Sequence, residues 1–172
     1  MLTTRLLKSP QLSLKSCAIK SAVSKLVLPT NTEYTLALLK PDLCADPHAV
    51  QQVISDIQKL SSTQNNIYLR KELVWNIEQA QQFYYQHKDR FFYTRLTTYM
   101  TSGSFEALIL TGENIISQWR GLIGTTQPVR AKVSVQDSLR AKYGITDTRN
   151  SFHGSDSKES ALKEISFVFG NL

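Results

Sequence analysis

The run Tyr34-Thr-Leu-Ala-Leu-Leu39 is apolar almost throughout and is ended by Lys40-Pro41-Asp42. Six such residues bounded by a turn are too few for a helix of their own and read as a buried strand. A buried strand needs other elements to cover it, and the sequence that follows is rich in them. Asp46 caps a predicted helix over 46–60, Pro47 takes its first position, and Val50, Val53, Ile54, Ile57 and Leu60 fall on one stripe. Residues 66–75 alternate as a strand. Residues 76–100 read as helix in two pieces, with a break around Lys88–Arg90, and 104–111 as a third strand. A helix over 112–124 is closed by Gly124. Residues 125–144 show no clear periodicity and read as a loop of about twenty residues, a length that in a compact domain points to function. A short segment leads to Phe152, and a last helix spans 156–169, capped by Asp156 with Glu159. The order β-α-β-α-β-α-loop-β-α predicts an α+β fold, a ferredoxin-like antiparallel sheet with helices packed on it. A small doubly wound fold is the alternative.

Charge divides the chain in two. The net charge of +6 suggests nucleic acid until it is located. Five of the twenty basic residues, Arg5, Lys8, Lys15, Lys20 and Lys25, lie in residues 1–32 with no acid among them. That leaves fifteen basic against fourteen acidic residues in 33–172, so a phosphate-backbone groove is not expected and nucleic acid is not an expected partner. Leu12, Ile19, Val23 and Leu26 recur at helical spacing between the lysines of the tail. This is the composition of a mitochondrial targeting segment, and a disordered basic tail is the plainer alternative. The expected division is therefore 1–32 as targeting segment, cleaved within 20–32, and 33–172 as one domain located in mitochondria, in the matrix or associated with the inner membrane. Of the two cysteines, Cys17 lies in the tail and leaves Cys44 without an internal partner, which fits a reducing compartment. Cys44 reads as a packed thiol rather than a reactive one.

The sequence has no glycine-rich phosphate loop of the G-x-x-x-x-G-K or G-x-G-x-x-G kind, no H-E-x-x-H and no C-x-x-C. His48, His87 and His153 show no ligand spacing, so a zinc site is not expected. What remains is a set of cations at element ends: Lys40 after the first strand, Arg120 late in a helix, Arg140 in the long loop, and His153 before the last helix. Singly, each has a plain structural role. Together they would make a pocket that holds polyphosphate by side chains, though spacing alone does not show that they converge.

The segments "TLALLKPD", "HKDRFFYTRLTTYM", "GLIGTTQP" and "DTRNSFHGSDS" resemble the nucleoside diphosphate kinase family, in order, from about Tyr34 to Phe169. The N-x-x-H-G-S-D core at Asn150, His153, Gly154, Ser155 and Asp156 is the most specific of them. The basic tail, a lengthened loop and the early C-terminus resemble a divergent branch of that family. The resemblance implies ping-pong phosphoryl transfer between nucleoside tri- and diphosphates, with His153 as the nucleophile. It implies Glu164 as the carboxylate that orients His153, and Ser155 as a hydroxyl in the same network. Lys40, Tyr84, Arg120, Thr126 and Arg140 match positions that hold the phosphates, and Asn150 with Lys40 the ribose contacts. Phe92, with Leu96 beside it, matches the aromatic on which the base stacks. Mg²⁺ is implied as the cofactor, carried on the nucleotide phosphates without a direct protein ligand. Phe92 and Tyr84 also suit ordinary core positions.

The sequence departs from the family pattern in places. Residues 128–140 make a longer loop than usual, Asp147-Thr148 stands where Val-Gly is common, Gly121 follows Arg120 where a bulkier apolar residue is usual, and Phe91 occupies a place where proline is common. The chain ends nineteen residues after His153. These differences lead us to expect a monomer, a small oligomer or a complex with a protein partner at residues 129–138 rather than the family's usual hexamer. A weakly active or inactive nucleotide-binding module acting through that partner is the alternative function. Residues 1–32 fused to a fluorescent protein should carry it to mitochondria; diffuse cytosolic fluorescence would count against the targeting segment.

Overall fold

The structure is a computed structural model that describes residues 32–60 and 66–170. The expected targeting segment lies outside the described residues, Thr32 excepted. Four strands form one antiparallel sheet: β1 (Glu33–Leu39), β2 (Ile67–Leu73), β3 (Phe105–Gly112) and β4 (Phe152–Gly154), in the order β2-β3-β1-β4. This is the predicted ferredoxin-like arrangement: β2 pairs with the next strand in sequence, β3, while β1 pairs with β3 and β4 through crossovers.

β1 is central, and both its faces are covered. Side chains alternate across a strand, so Ala37 and Leu39 enter one apolar cluster while Leu36 and Leu38 enter another. The first cluster is closed by α2 (Pro47–Gln58), α5 (Ile115–Ile123) and Leu139 of α7 (Leu139–Tyr143). The second is closed by α3 (Ile77–Phe83), α4 (Tyr93–Met100) and α8 (Lys158–Phe169). Burial on two sides explains why β1 reads as an unbroken apolar run; a strand with one wet face would alternate. β2, at the sheet edge, is mostly exposed or half-buried.

Local signals account for most boundaries. Asp46 caps α2, its carboxylate accepting the backbone N–H groups of His48 and Ala49. Asn76 and Gln79 form a reciprocal capping box on α3. The break in 76–100 is real: a 3₁₀ turn at Tyr85–His87 and bends at 88–92 separate α3 from α4. Gly124, at φ 78°, ends α5, and a Cβ there would lie 2.5 Å from Ser138 Cβ. The short turn α1 (Pro41–Cys44) follows Lys40 directly.

Three expectations need correction. Residues 125–144 are not a loop but carry α6 (Pro128–Ser134) and α7. Pro128 starts the first, and the Ser138 hydroxyl, accepting from Ala141 N–H, starts the second. Each helix buries only two or three residues, so neither leaves a stripe long enough to show as periodicity. α8 is capped by Ser157 accepting from Ser160 N–H, not by Asp156 with Glu159, and Glu159 instead pairs with Lys163 one turn on. Finally, the short segment expected to lead to Phe152 is a strand that begins there and runs to Gly154, so His153, expected just before the last helix, is the middle residue of β4, opposite Leu38.

Trp119 lies so close beneath β4 that a Cβ on Gly154 would stand 2.6 Å from its ring, whereas one on Gly121 would meet nothing within 4 Å. Gly154→Ala should therefore lower stability by about 1–3 kcal/mol through overpacking. Gly121→Ala should not, and thermal melts of the two variants make the comparison.

Candidate active site

Strand alternation sends Phe152 into the first apolar layer and His153 toward the second. The Phe152 ring packs against Trp119 and Tyr143, and the Trp119 indole N–H donates to the His153 carbonyl at 3.0 Å. The backbone that carries the histidine is thus gripped from below. Its ring is gripped from the side: Phe83 and Tyr84 meet it edge-on, with centroids 5.3 and 6.3 Å away.

His153 Nε2 lies 2.9 Å from Glu164 Oε2, on α8. The carboxylate is an acceptor, so Nε2 carries the proton and the lone pair sits on Nδ1. The same Glu164 oxygen accepts from the Ser155 hydroxyl at 2.7 Å, and Ser155 Oγ in turn accepts from Leu36 N–H at 3.1 Å. β1 therefore fixes Ser155, Ser155 fixes Glu164, and Glu164 fixes the imidazole.

The turn before β4 is strained. Ser151 has φ 64°, in the left-handed region that non-glycine residues rarely enter. Its hydroxyl donates to Asp42 Oδ2 at 2.8 Å, and its carbonyl accepts from Lys40 N–H at 2.9 Å. These bonds tie the turn to the end of β1 and place Asn150 beside Lys40. Asn150 Oδ1 accepts from the Lys40 ammonium at 2.7 Å, while its amide group donates to the carbonyls of Asp147 and Thr126.

Lys40 is almost wholly buried. Burial lowers its pKa from the usual 10.5 to about 7, nearby Arg140 adds to the effect, and Asp42 opposes it. Arg140, buried in α7, donates to the carbonyls of Gly124 and Phe152 at 2.6 and 3.0 Å; burial, with Arg120 nearby, brings its pKa to about 10. Arg120 donates to the Gly154 carbonyl at 3.3 Å. None of the three cations forms an ion pair with a carboxylate among the described residues. Among the described residues, Arg140 Nε and the Tyr84 hydroxyl are buried with no hydrogen-bond partner. Buried cations and orphan donors facing one space call for an anion with several acceptor oxygens.

That space is a cavity of about 430 Å³. Ten of the eleven sequence-predicted residues line it: Lys40, Tyr84, Phe92, Leu96, Arg120, Thr126, Arg140, Asn150, His153 and Glu164. Ser155, the eleventh, is fully buried behind the wall and acts through Glu164. Tyr84 is a core residue and a wall residue at once, and half-buried Phe92 packs against the second core cluster while lining the cavity. His87, Phe91, Asp147 and Thr148 complete the aromatic end. Sequence reasoning missed Trp119, Phe83, Asp42 and Ser151, whose roles consist wholly of contacts made on folding. A larger open depression, of about 930 Å³, is lined by Pro41, Asp42, Thr94, Arg95, Tyr99 and Arg149 among others, but it holds neither the histidine nor the buried cations.

The family model described as nucleoside diphosphate kinase matches residues 33–172. The chain belongs to the nucleoside diphosphate kinase family. The divergent branch it resembles is that of nucleoside diphosphate kinase 6. It is 45% identical to that protein of Xenopus tropicalis over 139 residues, covering 80% of this chain and 75% of the relative. With that of Homo sapiens it shares 43% over 141 residues, covering 82% and 74%. A solved structure of the Aquifex aeolicus nucleoside diphosphate kinase superposes with a TM-score of 0.75 at 34% identity, over 80% of this chain and 95% of that one. Nucleotide phosphotransfer is the general activity that membership supports.

Because Lys40 has a lower pKa in the folded chain, the unfolded chain binds the extra proton between about pH 7 and 10.5, and the destabilisation from burying this charge fades as pH rises through that window. An anion in the cavity reverses the shift. Binding of ADP, whose phosphates are already ionised at pH 8, should take up about one proton at that pH, read as a buffer-dependent heat in calorimetry, and Lys40→Met should abolish the uptake.

Proposed function

We propose that this chain transfers the γ-phosphoryl group of a nucleoside triphosphate to His153 Nδ1, and from there to a nucleoside diphosphate. The observation that carries the reading is the bond from His153 Nε2 to Glu164, which leaves the Nδ1 lone pair without a partner among the described residues, at a cavity walled by Lys40, Arg120 and Arg140. In the first half-reaction the Nδ1–P bond forms as the bond from the γ-phosphorus to the bridging oxygen breaks, and the diphosphate leaves. The second half-reaction is its reverse with a new diphosphate. Charge on the transferring oxygens is met by groups that need no reorganisation, since Arg120 and Arg140 are already held by the carbonyls of Gly154, Gly124 and Phe152. As Nδ1 gains positive character, Glu164 stabilises the proton on Nε2. Tyr84 and Thr126 add hydroxyls to the phosphates, Lys40 and Asn150 meet the ribose, and the base lies on Phe92 beside Leu96.

The donor set suits a metal delivered with the substrate. Among the described residues no group of three or more His, Cys, Asp or Glu side chains is placed to hold an ion, and the cavity wall is cationic where phosphate would lie. Mg²⁺ would arrive on the nucleotide phosphates and would supply charge neutralisation to the phosphates left behind.

We assign the chain to mitochondria on the composition of residues 1–32. A protein partner at α6 is a second element of the proposal. It is supported by Val129 and Val133, which are 70% and 81% exposed one turn apart on the face of α6 opposite buried Ala131.

Incubation with γ-labelled ATP should leave an acid-labile label on the wild type. His153→Ala should take up none, and Glu164→Gln should label on the order of 10²-fold more slowly. Label retained by His153→Ala, or none on the wild type with or without mitochondrial extract, would overturn the mechanism.

A further inference from the structure

The cavity has two chemically different ends, and the aromatic end carries a carboxylate, Asp147, that the phosphoryl-transfer reading does not use. Asp147 Oδ2 accepts from Arg95 at 3.2 Å across fifty-two residues of sequence. The Arg95 guanidinium lies 5.6 Å from the centroid of the exposed Phe91 ring, which meets Phe92 edge-on. The Asp147 carbonyl is pinned by Asn150 at 2.9 Å, and Asn150 also holds Lys40. The carboxylate is thus stationed at a set depth from the phosphate-holding lysine, beside the aromatic wall.

We propose that Asp147 selects the nucleotide base, favouring guanine. A carboxylate has about four acceptor positions. Arg95 occupies one, and a weak contact from Thr148 at 3.4 Å takes another. The rest accept and cannot donate. Guanine offers adjacent N1–H and N2–H donors, the match for a carboxylate edge. Adenine and cytosine offer one amino group each. Thymine and uracil turn carbonyl oxygens toward it on either side of a single N3–H, which costs electrostatically. Stacking on Phe92 is indifferent to base identity, so discrimination falls to this residue.

The inference rests on the proposed nucleotide site, and the test separates the two. Binding constants for GDP, IDP and TDP are measured by calorimetry on the full-length protein, with histidine labelling from ATP run in parallel. The wild type should bind GDP about five- to tenfold more tightly than TDP, a charge-assisted pair discounted for its exposure. IDP, lacking the 2-amino group, should fall between them. Asp147→Val should bring all three within about twofold of each other by removing the charge-assisted pair. Arg95→Gln frees the carboxylate and should keep or increase the guanine preference. If Arg95→Gln instead erases the preference as Asp147→Val does, Asp147 acts only through Arg95 and base selection by its carboxylate is overturned. Equal binding of the three by a wild type that still labels His153 would overturn the inference and leave the function standing. Absence of both binding and label would remove the function and the inference with it.

Discussion

The site depends on the pairing of β4 with β1. Only three residues of β4 are paired, yet Leu38 opposite His153 sets which face the histidine takes, and Leu36 N–H opposite Ser155 sets the far end of the Glu164 network. Register is the constraint, because a slip of one residue would turn His153 into the Trp119 layer and Phe152 toward the cavity. Buried Phe152, the indole bond to the His153 carbonyl and the lack of room for a side chain at Gly154 all oppose that slip.

Around this strand the protein gathers three cations and pairs none of them with a carboxylate among the described residues. Lys40, Arg120 and Arg140 are held by neutral partners, an amide and backbone carbonyls, which orient cations without cancelling them. The depressed pKa of Lys40 measures the tension. A ligand rich in phosphate oxygens relieves it, so part of its binding energy is stored in the empty site as unfavourable cation burial. The stabilising layers on both sides of β1 supply the free energy that keeps such a site folded.

α6 and α7 link this electrostatic arrangement to the surface. α7 delivers Arg140 to the cavity and leans on Gly124, while α6 presents Val129 and Val133 to solvent. One segment thus carries both a phosphate-facing cation and an exposed apolar pair.

The sequence determined much of this protein by local physics. The apolar run of β1, the capped stripe of α2 and the break between α3 and α4 were legible because turn residues and periodicity act within a few positions. The candidate site residues were legible through family resemblance in the Asn150–Asp156 motif and its companions, since spacing alone showed only scattered cations. Other features were invisible. α6 and α7 are too short to leave a period, and Ser157 takes the cap from Asp156 because cap geometry outranks the motif's form. Trp119, Phe83, Asp42 and Ser151 carry no local signature. Tertiary structure alone decided that Lys40, Arg140 and His153 share one cavity, and that Lys40 is charged there only at a cost. Convergence is a property of strand order and register, and a pKa is a property of burial; neither exists until the two apolar layers close on β1.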